Sequence, residues 1–281
     1  MARPEEAFEP EAEVETFSTI HSVGPEPALA AVDTHCHLFL MEEDPGEVVN
    51  SANATKMGRM VCVGIDPATS RRSLELAESY RGVFATAGVH PHTASDFDDR
   101  AGSEVEELLA HPLVVGVGET GLDYYRRLSP IEDQQRAFRT HISLSRESGK
   151  PLVVHVRDAW EDAMAILRDE GAERVVLHCF TGDEAIAIEA GRRGYVVSFA
   201  GNVTYPTAEH MRLAAAALPD GHLVCETDSP FLAPQRARGT TNAPANVLAV
   251  IQAVAEARGV TLDEMVEATT HSALAAFPLL R

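Results

Sequence analysis

A chain of 281 residues with 43 Asp and Glu against 23 Lys and Arg, a net charge of −20, excludes a protein that coats nucleic acid through a broad basic surface, though not one with a local nucleic-acid site. Its 45% hydrophobic and 23% charged content is that of a globular protein with a sizeable core, and no apolar run approaches the roughly 20 residues that span a bilayer. Cys36, Cys62, Cys179 and Cys225 stand singly beside apolar runs, which fits buried free thiols rather than a disulfide framework or a zinc knuckle.

Residues 1 to 27 are rich in Glu, Pro and Ala with little periodicity and read as a disordered acidic extension. The first 30 residues hold one Arg and seven Glu, so the remainder still carries −14. No basic segment followed by an apolar stretch opens the chain; the expectation is a cytoplasmic protein that uses no membrane.

From Leu29 onward short apolar runs alternate with amphipathic stretches. The runs are 29–33, 60–65, 83–89, 113–117, 152–156, 174–177, 195–199 and 222–225, and the helix-like stretches 68–81, 102–110, 130–148, 158–170, 183–193, 206–217, 243–257 and 261–276. Pro67, Pro130 and Pro206 each suit the first turn of a helix. Strands apolar on nearly every residue, alternating with helices, are what a parallel sheet covered by helices requires. Eight of them predict a (β/α)8 TIM barrel over residues 28–281, as a single domain.

Such a barrel carries its chemistry at the C-terminal ends of its strands. His35 and His37 follow the first run and, two residues apart, share a face, while Cys36 turns away. Glu119 follows the fourth run, His155 ends the fifth, His178 follows the sixth and Asp228 the eighth. Four imidazoles and two carboxylates would thus converge on the barrel mouth, the donor set of a metal centre. Gly116-Val117-Gly118-Glu119-Thr120-Gly121 matches G-x-G-x-x-G, but no helix begins within that loop to receive a pyrophosphate, so no nicotinamide cofactor is expected.

With these residues assembled, the chain resembles the TatD family of metal-dependent deoxyribonucleases, among the amidohydrolase-type barrels. The resemblance is carried by Asp33-Thr34-His35-Cys36-His37-Leu38, Gly88-Val89-His90-Pro91-His92, Gly118-Glu119-Thr120-Gly121-Leu122-Asp123-Tyr124-Tyr125, His155-Val156-Arg157-Asp158, His178-Cys179-Phe180-Thr181-Gly182 and Glu226-Thr227-Asp228-Ser229-Pro230-Phe231-Leu232. It implies two divalent ions, zinc, manganese, magnesium or iron. One would be held by His35, His37, Glu119 and Asp228, the other by His155 and His178 with Glu119 bridging. Asp228 and Glu119 would be the catalytic carboxylates, Asp228 as the group that takes or shuttles the proton. His90, His92, Arg157 and Arg126 are candidates to hold phosphate, Tyr124 or Tyr125 to stack a base, and Glu226 to support the neighbouring ligands. The activity implied is phosphodiester hydrolysis on DNA, as an exonuclease on single strands or ends. The alternative is ester or amide hydrolysis by the same device, such as removal of a misattached amino acid from tRNA.

Overall fold

The computed structural model describes residues 30–280; the acidic extension expected at 1–27 lies outside them. The described residues hold eight strands: β1 (Ala31–Cys36), β2 (Met57–Val63), β3 (Val83–Ala87), β4 (Val114–Asp123), β5 (Leu152–Arg157), β6 (Val175–Leu177), β7 (Val196–Phe199) and β8 (Leu223–Cys225). All pair in parallel, in sequence order. The helices between and after them are α1 (Pro45–Asn53), α2 (Pro67–Ser79), α3 (Asp99–Leu109), α4 (Ile131–Ser148), α5 (Trp160–Asp169), α6 (Glu184–Arg192), α7 (Glu209–Ala217), α8 (Val247–Arg258) and α9 (Leu262–Ala276). This is the expected (β/α)8 barrel. None of these helices is by itself long and apolar enough to cross a membrane.

The sheet closes where its ends meet. The His37 N–H donates to the Ser229 carbonyl at 2.7 Å and the Asp228 N–H to the His35 carbonyl at 2.9 Å, so candidate ligands themselves bond the two edges. Below them the Asp33 carboxyl, fully buried, accepts from the Thr227 N–H at 2.9 Å and the Thr227 hydroxyl at 2.6 Å. Burial pushes Asp33 up to about 8.

Two apolar layers result. Val32, Val61, Val115, Val153, Val176 and Val224, drawn from strands all round the sheet, can meet only inside the barrel, and Phe277 and Leu280 beyond α9 pack among them and plug its floor. The larger layer lies between the strands and the helices and includes Leu76, Phe138, Leu167 and Val250. Val32 belongs to the inner set and Cys36 to the outer one, although an even spacing should put both on one face. A register shift between Asp33 and Cys36 resets the alternation and turns His35 and His37 inward.

Three elements differ from expectation. Helix α1 has no counterpart in the periodicity, because Gly46, Asn50 and Asn53 weaken its helical signature; it starts on the Asp44 carboxylate, which accepts from the Gly46 and Glu47 N–H groups, with Pro45 in the first turn. Helix α7 begins at Glu209, not at Pro206: the Val203 and Tyr205 carbonyls are taken by the Arg212 guanidinium, which fixes the preceding segment as a turn. Strand β4 runs on to Asp123, and its glycines explain how. A Cβ at Gly118 would stand 2.5 Å from the Val153 carbonyl oxygen and one at Gly121 2.1 Å from that of His155, both at φ above +130°. These glycines therefore let β4 press against β5 and do not form a phosphate loop.

Candidate metal centre

Glu119 lies at the centre of the mouth, 2% exposed, and its two oxygens face different partners. Oε2 is 3.4 Å from His35 Nε2 and 3.8 Å from His37 Nε2. Oε1 is 3.0 Å from His155 Nδ1, 3.1 Å from His178 Nε2 and 3.4 Å from His90 Nε2. Asp228 Oδ1 closes the first set, 3.5 Å from His37 Nε2 and 4.0 Å from His35 Nε2. Among the described residues, three triplets have donor atoms within 4.8 Å of one another: His35, His37 and Glu119; His35, His178 and Asp228; His90, Glu119 and His155.

The local chain explains each orientation. His37 Nδ1 donates to the Val63 carbonyl at 2.8 Å, which leaves Nε2 as the inward lone pair. His178 Nδ1 donates to Glu226 Oε1 at 2.8 Å, and Glu226 is held in turn by the Cys179 N–H at 2.8 Å and the Ser198 hydroxyl at 2.6 Å. A histidine whose outer nitrogen is anchored on a carboxylate is the arrangement that fixes and strengthens a metal ligand.

The charges are mutually dependent. Burial alone would raise Glu119, yet His178, His90 and His35 hold it well below the usual carboxylate range. Burial opposes a charged His178, but Glu226 and Glu119 on its two sides hold it well above the ordinary imidazole range. His90, with weaker carboxylate support, is pushed by burial down to about 4. Asp228 resists the upward push of burial through its bond from His37 and the field of His178, and stays ionised.

The cluster fits divalent ions. The Nε2 atoms of His35 and His37 stand 3.2 Å apart, and with His155 Nδ1 and His178 Nε2 they converge on the two oxygens of Glu119, which is what a cation between them would require. Imidazoles and carboxylates form a donor set open to zinc, manganese or iron.

A family model described as "TatD related DNase" matches residues 32–278. The chain belongs to the TatD family. The Bacillus subtilis protein YabD, named an uncharacterized metal-dependent hydrolase, is 39% identical over 245 residues, covering 86% of this chain and 96% of that protein. A Musicola paradisiaca protein named "3'-5' ssDNA/RNA exonuclease TatD" is 36% identical over 201 residues, covering 69% of this chain and 75% of its own length. Among solved structures, the Escherichia coli TatD homologue YjjV superposes with a TM-score of 0.83 at 27% identity, covering 88% of this chain and 98% of that one. The protein is a metal-dependent hydrolase.

The TatD motifs place the remaining candidates unevenly. His90 stands among the inward donors, with Nε2 3.4 Å from Glu119 Oε1, and so belongs to the candidate metal cluster. His92 is turned onto Asp123 Oδ2 at 2.7 Å, and Asp123 also accepts from the Tyr125 and Arg126 N–H groups. Arg126 is exposed at the rim with its guanidinium unpaired among the described residues, whereas Arg157 lies over the Tyr125 ring at 4.1 Å. The Tyr124 hydroxyl is committed to Asp162 at 2.7 Å and its ring packs on the core, so of the two tyrosines the 63% exposed Tyr125 has the freer face.

Sequence reasoning passed over two supporting groups. Ser198, on β7, orients Glu226, and its only signal was a polar residue in an apolar strand. His141 of α4 accepts the Val89 N–H at Nε2, 3.0 Å away, and donates from Nδ1 to Ala137 at 2.7 Å, fixing the residue next to His90. Nothing in its sequence neighbourhood signals that.

Proposed function

We propose that this TatD-family hydrolase is a two-metal phosphodiesterase acting on DNA, as an exonuclease on single strands or ends, in the cytoplasm. The observation that carries the two-metal reading is the division of Glu119: one oxygen toward His35 and His37, the other toward His155 and His178. A carboxylate so placed can bridge two cations and screen their repulsion. One ion would take His35, His37, Glu119 and Asp228, the other Glu119, His155 and His178. When bound, the ions supply Lewis-acid polarisation of the phosphoryl group and make water nucleophilic near neutral pH.

The chain's own groups do the rest. Asp228, ionised and with 14% of its side chain exposed, directs Oδ1 at the histidines and is the carboxylate that would accept the proton of the attacking water. Glu226 keeps His178 oriented through Nδ1. Arg126 and Arg157, with His90 and His92 deeper in the mouth, are the groups that would hold phosphate. Support for nucleic acid as substrate comes from the family and from the Musicola relative named as an exonuclease on single-stranded DNA and RNA. The four free cysteines suit a reducing compartment.

The test is cleavage of an end-labelled single-stranded oligonucleotide by chelator-treated protein, with and without added Mn²⁺ or Mg²⁺, and with Asp228→Asn as control. Metal-dependent shortening by the wild type alone is expected. An oligonucleotide left intact by metal-loaded protein overturns the nuclease reading and moves the substrate to esters or amides.

A further inference from the structure

An acidic protein must hold a polyanion with few cations, so affinity must come from something other than broad phosphate contact. Phe231 supplies it. This ring lies three residues beyond Asp228 and is 52% exposed. Its centroid is 6.2 Å from that of His37, with the planes at 67°. Phe39 lies 5.7 Å from the same imidazole at 75°, partly buried against the core, and Leu40 beside it is 42% exposed. The β1–β8 side of the mouth is thus walled by aromatic and aliphatic surface directly above the candidate ligands.

That surface is held on a fixed backbone. The Phe231 N–H donates to the Asp228 carbonyl at 2.9 Å, and the Asn242 N–H to that of Pro230 at 3.1 Å. Asn242, itself fully buried, also donates from its side chain to the Thr227 carbonyl at 2.9 Å. The Leu232 carbonyl packs so closely on Gly201 that a Cβ there would lie 1.9 Å away. An exposed aromatic ring on a rigid turn loses little conformational entropy when a flat ligand settles on it.

We propose that Phe231, beside the His37 imidazole, is the stacking platform for the nucleobase next to the scissile phosphate. The inference rests on the nuclease reading above and names the part of the substrate that this side of the mouth recognises. Stacking is sequence-tolerant because every base has a π face, and it is insensitive to salt in a way that phosphate contacts are not. The platform therefore gives an acidic enzyme a grip on a terminal nucleotide of any sequence.

The experiment compares single-stranded oligonucleotides of one sequence whose attacked end carries either a normal nucleotide or an abasic deoxyribose with the same phosphates, prepared at each end in turn. For metal-loaded wild type, kcat/KM for the base-bearing end should exceed that for the abasic end by about tenfold. The ratio should fall to about one in Phe231→Ala and return in Phe231→Trp. Equal ratios in wild type and Phe231→Ala, or a wild-type ratio of one, overturn the platform while leaving the nuclease reading intact. If the wild type cleaves neither substrate, the nuclease reading fails and the platform falls with it.

Discussion

Replacing His141 by Gln tests whether a buried neutral imidazole holds the β3 end of the site. The ring is fully buried, packs 4.8 Å from Phe97, and bonds the Val89 N–H and the Ala137 carbonyl. Burial pushes it from an ordinary 6.5 down to about 4, and no charged neighbour contributes. The folded state therefore favours the neutral form. Below pH 6.5 the unfolded chain takes up the proton first, so stability present above that value is lost as pH falls toward 4. The linkage relation gives a loss of about 2 kcal/mol by pH 5 and about 3 kcal/mol by pH 4 from this residue alone. Urea unfolding of the metal-free protein, wild type and His141→Gln, between pH 8 and pH 5 isolates the effect. The variant should be the less stable at pH 8, having lost ring packing and a fitted acceptor, and the gap should narrow by about 2 kcal/mol toward pH 5. Parallel pH profiles would refute the assignment of His141 as a neutral clamp.

Glu119→Gln removes the shared negative charge from a pocket of five imidazoles, so metal content measured by elemental analysis should fall at both positions and turnover should drop at least a hundredfold. Glu226→Gln keeps an acceptor for His178 but lowers its basicity; metal titration should show affinity weakened about 10- to 100-fold with the melting temperature of the apo protein changed far less. An unchanged titration curve would remove Glu226 from the site. Gly121→Ala places a methyl 2.1 Å from the His155 carbonyl at φ +133°, so β4 and β5 must separate; a fall in melting temperature of several degrees is expected, with loss of metal from His155, and a variant with wild-type melting would contradict the close approach.

The barrel and the side chains gathered at its mouth were legible because each lies where one simple rule puts it: an apolar strand, then a polar donor at its end. His35 and His37 are legible as a pair from spacing alone. Their inward direction is not, since strict alternation from Val32 would turn them out and only the register shift between Asp33 and Cys36 corrects it. The same limit applies to partners distant in sequence. Glu226 could be guessed as a support of Asp228 from its position two residues away, but its actual bond is to His178, 48 residues back. Asp123 could be expected to pair with Arg126, yet it takes that residue's backbone N–H and gives its carboxylate to His92. Helix α1 went unseen because its start is set by one cap, Asp44, rather than by any apolar stripe.

The closure of the barrel through His35, His37, Asp228 and Ser229 joins the first of the described strands to the last. During synthesis His35 and His37 emerge early and Asp228 nearly two hundred residues later. Until β8 pairs with β1, Asp228 is not held against His35 and His37. A copy cut short before β8 thus carries His35 and His37 without Asp228, and the donor cluster is whole only when the chain is long enough to close the barrel.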